Sequence, residues 1–191
     1  MKKVGILAVQ GDFEAHGKAL DRIGVEHRAV LRAADLADVD ALILPGGESS
    51  TMLKFLEKGG LREAIQKFSH SGGAIFGTCA GVILLAREVK NPAQESLGLI
   101  DLAVVRNGYG RQLSSHVAHA PTPLKPEPLE MVFIRAPLIE GAGPAVEVLA
   151  EYQGKPVLVR EGRILAATFH PELTSDTLVH ETFLKLIPNG A

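Results

Sequence analysis

The 191-residue sequence predicts an α/β domain: a mostly parallel central sheet, helices on both of its faces, and an antiparallel extension. Three observations predict it. In the first half, short apolar runs with β-branched members alternate with segments whose apolar residues recur at helical spacing. In the second half, six strand-like runs follow one another with hairpin turns between them. One amphipathic segment then closes the chain. A length of 191 residues with 46% apolar content suits a single core, so residues 1–191 are read as one domain.

The elements follow in order. Lys3–Val9 reads as a strand buried on both faces. Ala15, Ala19, Leu20 and Ile23 lie at helical spacing, and Gly24 closes that helix. Val25–Leu31 is a strand, and Asp40–Leu44 is another that ends at Pro45-Gly46-Gly47. Met52, Leu53 and Leu56 mark a helix that Gly59-Gly60 stops, with Ser49 or Ser50 as its cap. Leu61, Ile65 and Phe68 mark the next helix. Gly73–Gly77 is a strand, and Ala80–Ala86 a buried helix directly after it. The later strands are Asp101–Val105, Ser114–His119, Leu129–Arg135, Ala145–Tyr152, Pro156–Arg160 and Arg163–Phe169, taken together as an antiparallel extension of the main sheet. Pro121–Pro128 reads as a rigid surface loop. Leu178, Val179, Phe183, Leu186 and Ile187 give the last helix one apolar face.

Charge and cysteine content exclude several classes. Twenty basic and 22 acidic residues leave a net charge of −2, so no global field draws nucleic acid or an anionic membrane surface. The single cysteine excludes an intramolecular disulfide and a zinc site built on several thiolates, and it suits a reducing, cytoplasmic setting. Val4–Val9 is cut off by Gln10-Gly11-Asp12 too early for a signal peptide, and no apolar run reaches the roughly 20 residues of a membrane span. His116 and His119, three apart in a strand, face opposite sides and make a poor metal pair, so no metal is expected. His16, His27, His70 and His180 are placed on solvated faces, and Tyr109 either packs or stacks near a site.

Three segments carry chemistry. Gly77-Thr78-Cys79-Ala80-Gly81 joins a strand to a helix, with a glycine two residues to each side of the thiol. A sharp strand-to-helix turn lifts its central side chain above the sheet edge and presses backbone against the flanking positions, where side chains would collide. The helix start favours thiolate, and the Ala80 amide becomes a candidate oxyanion donor. In Thr168-Phe169-His170-Pro171-Glu172, Pro171 favours extended geometry at His170, and residues two apart on an extended chain share a side. His170 can then take the thiol proton while Glu172 fixes its tautomer. Leu44-Pro45-Gly46-Gly47-Glu48-Ser49-Ser50 leaves a strand and opens a helix; its amides make an anion-binding concavity or, at Gly47, a second oxyanion donor.

Pro-Gly-Gly-Glu-Ser at 45–49, Gly-Thr-Cys-Ala-Gly at 77–81, Arg-Asn-Gly-Tyr-Gly-Arg-Gln at 106–112, Phe-Ile-Arg-Ala-Pro at 133–137 and Phe-His-Pro-Glu at 169–172 occur in that order. Together with Val9–His16, they resemble the glutaminase subunits of pyridoxal 5′-phosphate synthase, small members of the triad (class I) glutamine amidotransferases. The resemblance implies a flavodoxin-like three-layer sandwich and hydrolysis of L-glutamine to glutamate and ammonia. It implies Cys79 as nucleophile, His170 as base and Glu172 as its orienter. Gly46, Gly47, Glu48, Arg106, Ile134 and Arg135 become glutamine contacts, with Gly47 and Ala80 as the oxyanion hole. Either arginine could hold the α-carboxylate. Ser50 stands where the resemblance leads one to expect threonine, and Leu113–His116 replaces a more acidic, aromatic stretch.

The same resemblance implies an ammonia-accepting, barrel-shaped synthase partner in a twelve-plus-twelve complex. Gln10, Asp12 and His16 are candidates for the docking face. No cofactor is expected, pyridoxal 5′-phosphate being the product of the complex. Rival readings are a glutaminase subunit of another amidotransferase and a thiol hydrolase of the DJ-1 type. The latter usually carries histidine where this chain has Ala80.

Overall fold

The computed structural model describes residues 2–108 and 115–188. The strands are β1 (Lys3–Leu7), β2 (Glu26–Val30), β3 (Ala41–Leu44), β4 (Ala74–Thr78), β5 (Ala86–Lys90), β6 (Ile100–Val105), β7 (Ser115–Thr122), β8 (Lys125–Ile134), β9 (Leu138–Ala142), β10 (Glu147–Tyr152), β11 (Lys155–Glu161) and β12 (Ile164–Ala167). The helices are α1 (Phe13–Arg22), α2 (Ser49–Leu56), α3 (Leu61–His70), α4 (Ala80–Leu85) and α5 (Leu178–Lys185). Seven strands form the main sheet in the order β10-β11-β12-β4-β3-β1-β2. From β2 to β12 the pairing is parallel, and β10 and β11 extend it antiparallel.

Alternation along the central strands divides the core in two. Leu42, Leu44 and Ile75 face a cluster with α2, α3 and α4. Their neighbours Ala41, Ile43, Ala74 and Phe76 face a second cluster with α1 and α5. A strand whose successive residues are all buried must carry apolar side chains on both faces, and β3, β4 and β12 do so apart from Gly77 and Thr78. Each fully buried Leu, Ile or Phe contributes about 1.5–3 kcal/mol by burial.

Three expectations change. Of the six later strand candidates, β10 and β11 extend the main sheet antiparallel, whereas β12 lies inside it, parallel to β4. β6 instead joins β5 and β9 in a separate three-stranded sheet, and β7 pairs with β8 alone. Period-two patterning marks a strand but says nothing about its partner. The β7–β8 hairpin is held by ring contacts of Phe133 with Tyr152 and Phe169. β5 and β9 themselves go unread, since β5 follows α4 with no glycine or proline between them. Finally, Pro121–Pro128 is a hairpin rather than a loop: it holds the end of β7, a turn at Pro123-Leu124 and the start of β8, with Thr122 opposite Lys125. A two-stranded hairpin leaves outward positions where a missing N–H costs nothing.

Candidate active site

Two neighbouring parallel strands bring the thiol and the imidazole together. Thr78 ends β4 opposite Ala167, the last residue of β12, and the Cys79 N–H donates to the Ala167 carbonyl at 2.9 Å. The chain turns at Cys79 with φ 47° and ψ −105°, a strained conformation for a residue with a Cβ, costing about 1–3 kcal/mol. The turn is tight on both sides: a Cβ on Gly81 would lie 2.1 Å from the Leu44 carbonyl oxygen, and one on Gly77 would lie 2.9 Å from Gly81. The Cys79 Sγ lies 3.8 Å from the Ile134 carbonyl oxygen.

His170 reaches the same place by a different route from the extended path expected of residues 168–172. The strand stops at Ala167, and Pro171–Leu173 forms a 3₁₀ turn with His170 as its N-cap. The His170 N–H donates to the Val132 carbonyl of β8 at 2.8 Å. The 3₁₀ turn brings Glu172 back beneath the ring, and Nδ1 lies 2.7 Å from Oε1. Both side chains are buried. His170 Nε2 has no hydrogen-bond partner among the described residues. A Cβ on Gly46 would lie 2.4 Å from His170 Cε1 and 3.4 Å from Cys79 Cβ, so only a glycine lets this loop back both side chains.

The ionisation pattern follows from these contacts. Burial opposes a charge on His170, but interactions with Cys79 and Glu172 outweigh it and push the imidazole up to about 10. Burial would raise Glu172; the His16 ring and the His170 hydrogen bond overcome it and hold the carboxyl below its ordinary value. The arrangement therefore holds a protonated imidazole against an ionised carboxylate, beside the Cys79 sulfur.

The sulfur opens into a cleft of about 410 Å³. Gly47, Glu48, Ala80, Arg106, Ile134, Arg135, Gln10 and Asp12, all singled out in the sequence, line it with Cys79 and His170; Gly46 lies behind. Glu48, not Ser49 or Ser50, caps α2: its carboxylate accepts from the Ser50 and Thr51 amides. Serine has the stronger intrinsic preference for that role, but here the helix begins at Ser49 itself. Glu48 also accepts from the Ser50 hydroxyl at 2.6 Å and from Arg106 at 3.2 Å. The Ser50 hydroxyl leads the contacts that hold its carboxyl down to about 2. Arg135, with φ 45°, is exposed and has no ion pair among the described residues. At the rim, the Gln10 carboxamide oxygen accepts the Glu48 N–H at 2.8 Å. The Asp12 N–H donates to the Gly46 carbonyl at 3.0 Å.

Not every expected residue reaches the site's surface. His16 is fully buried, hydrogen-bonded within the core, and cannot belong to a docking face. His180 is likewise buried rather than solvated. Both sit on the apolar stripes of α1 and α5, a helical spacing that outweighs the polarity of the side chain. Residues 109–112 of the Arg106 motif, Tyr109 among them, lie outside the described residues, as do Leu113 and Ser114. Asp12, His170 and Glu172 offer ligand atoms within 4.8 Å of one another. Holding a cation there would sacrifice the His170–Glu172 hydrogen bond. Among the described residues no helix is long and apolar enough to cross a membrane.

Comparison with known proteins adds a family. A family model described as the SNO glutamine amidotransferase family matches residues 6–188. A pyridoxal 5′-phosphate synthase subunit PdxT of Koribacter versatilis is 52% identical over 188 residues, covering 98% of this chain and 97% of that protein. The subunit of the same name from Thermotoga maritima is 48% identical over 186 residues, covering 97% and 99%. A solved glutamine amidotransferase superposes with a TM-score of 0.91 at 44% identity, over 96% of this chain and 98% of the other. PurLQS from Thermotoga maritima, at TM-score 0.68 and 16% identity over 98% and 99%, shares the fold.

Proposed function

The chain belongs to the SNO glutamine amidotransferase family and is a glutaminase, and on that premise we propose that Cys79, His170 and Glu172 carry the hydrolysis of L-glutamine to L-glutamate and ammonia. The observation that carries this reading is the strained thiol beside a buried His170–Glu172 pair at the floor of one cleft. The Cys79 thiolate attacks the side-chain amide carbon. The amides of Gly47 and Ala80 meet the developing oxyanion, each contributing about a hundredfold or more in rate. The His170 imidazolium gives its proton to the departing ammonia, leaving a glutamyl thioester. A water that gives its proton to His170 then releases glutamate, and the base returns to its starting state.

Recognition falls to the rim. Glu48 and Arg106 satisfy one another, so Arg135 is the uncommitted cation for the α-carboxylate, while Glu48 retains acceptor capacity for the α-ammonium. Gly46 and Ile134 contribute backbone. No cofactor takes part.

The ammonia is destined for a synthase subunit that builds pyridoxal 5′-phosphate, the assembly named by relatives about 50% identical to this chain. Free ammonia protonates in neutral water and ceases to be a nucleophile, so its release is useful only into a docked partner. Gln10 and Asp12, on the cleft rim, belong to the docking face, and the complex is a twelve-plus-twelve particle in a reducing cytoplasm. Glutaminases of other pathways and thiol hydrolases are less well supported, since the 133–137 segment and Ala80 set this chain apart from them.

The test is ammonia release from glutamine, with asparagine as control. Cys79→Ala should abolish turnover yet still bind glutamine. Near-normal release in that variant refutes the mechanism.

A further inference from the structure

The buried polar groups do not stop at Glu172. Behind the carboxylate lie two buried histidines that the proposed mechanism does not use. His16 of α1 places Nε2 3.0 Å from Thr78 Oγ1 and 3.6 Å from Glu172 Oε2. Its Nδ1 lies 3.0 Å from Nε2 of His180 on α5. Both rings are completely buried and meet Phe76 edge-on. Glu172 Oε2 and His180 Nδ1 have no hydrogen-bond partner at ordinary distance among the described residues.

Two tautomeric arrangements satisfy the contact between the rings. If His16 donates from Nδ1, its Nε2 accepts from the Thr78 hydroxyl and also turns its lone pair toward the carboxylate, and His180 carries a buried Nδ1–H with no acceptor. If His180 donates from Nε2, its bare Nδ1 is left unpaired, and His16 Nε2–H points at Thr78 Oγ1 and Glu172 Oε2. The second is preferred, because it leaves a buried lone pair unpaired rather than a buried N–H without an acceptor.

We propose that His16 is a positioning residue for the reaction: its Nε2–H, set in that tautomer by His180 and hydrogen-bonded to Thr78 Oγ1, faces the second carboxylate oxygen of Glu172 at 3.6 Å and by that attraction biases the plane in which Oε1 meets His170. The terminal torsion of a glutamate is soft, and one hydrogen bond at Oε1 does not lock it. A polar N–H facing Oε2 from the opposite side adds a second restraint. Cys79, His170, Glu172, His16 and His180 thereby form one buried series running from β4 to α5. Both rings must stay neutral for this. Burial, the largest influence on each, lowers His16 and pushes His180 down to about 3. Glu172, His170 and Asp12 face His16, while His16, Glu172 and Arg22 face His180.

The inference rests on the catalytic reading of Cys79, and its test separates the two. In the full-length chain labelled with ¹⁵N-histidine, long-range proton–nitrogen spectra at neutral pH should show protonated Nε2 and bare Nδ1 on both His16 and His180. A protonated Nδ1 with bare Nε2 on His16 overturns the proposal without any variant. In ammonia-release assays, His16→Leu should lower kcat about tenfold or more with KM for glutamine within about twofold, well short of the roughly 10⁴-fold loss that follows replacement of a triad carboxylate. His16→Gln, whose carboxamide can present an N–H where Nε2–H stood, should recover most of that loss. A folded His16→Leu with unchanged kcat, or a His16→Gln no better than His16→Leu, overturns the role. Cys79→Ala is run alongside. Turnover in that variant sinks the triad reading itself, whereas its loss together with full turnover in His16→Leu sinks only the part assigned to His16.

Discussion

The floor of the cleft and its rim are built on different terms. On the floor, Cys79, His170 and Glu172 are at most 7% exposed, and their ionisation is set by burial and by one another. On the rim, Glu48, Asp12 and Arg135 face solvent. There, hydrogen bonds tie one loop to the next: Glu48 to Ser50 and Arg106, Gln10 to Glu48, Asp12 to Gly46. Bond making needs groups whose starting protonation state is set by their neighbours, which a dry, crowded floor provides. Substrate entry and partner docking need groups that water can reach. The difference divides the kinetic parameters: floor variants should cost kcat, and rim variants should cost KM.

The largest expected effect tests the floor. His170→Asn should lower turnover about as far as removal of the thiol does, by about 10⁴-fold or more, because members of a catalytic unit fail together. Ammonia release at saturating glutamine measures it, and near-wild-type kcat would break the comparison at its strongest point. On the rim, Arg135→Ala should raise KM by about ten- to a hundredfold, the worth of a charged hydrogen bond at about 1.5–3 kcal/mol. Arg106→Ala should do the same to a smaller degree by releasing Glu48. Initial rates across a glutamine series distinguish the two; a loss confined to kcat would move Arg135 to the floor.

The smallest effect concerns stability and pH. His180 is held near 3 when folded, against an ordinary 6.5, so the unfolded chain binds the extra proton first. Stability should then fall as pH drops below about 6.5, by up to about 1.4 kcal/mol per pH unit, with the His180 contribution exhausted near 3. His170, raised to about 10, works the other way: its contribution is complete below about 6.5 and is lost as pH rises toward 10. Denaturant melts of wild type and His180→Phe between pH 4 and 8 would show the acid slope flattening in the variant. An unchanged slope would mean that His180 is not the neutral buried ring described.

The elbow was readable because its geometry constrains chemistry locally: two glycines flank one cysteine within five residues, and both Gly77 and Gly81 touch backbone or core. The His170–Glu172 pair was readable for a partly different reason from the one assumed. Pro171 does keep His170 out of a helix, but it also starts the 3₁₀ turn that carries Glu172 under the ring. The buried histidines were not readable. His16 stands on the Phe13, Leu20 and Ile23 stripe of α1, yet what makes its burial tolerable, Thr78 and His180, lies 62 and 164 residues away. The main parallel sheet was legible because its inner strands β1, β3 and β4 are largely apolar on both faces. The β7–β8 hairpin was legible only as strands, because its placement depends on Phe133, Tyr152 and Phe169 meeting from three separate segments.

One hairpin strand has a bearing on how the molecule fails. β8 offers its Val132 carbonyl to the backbone of the base and its Ile134 carbonyl to the sulfur, so a peripheral ribbon braces two groups that hang from the central sheet. Fraying of that ribbon alone would let the imidazole and the thiol drift apart while the seven-stranded sheet stands. Such a partial opening would disarm the enzyme without any melting of its core.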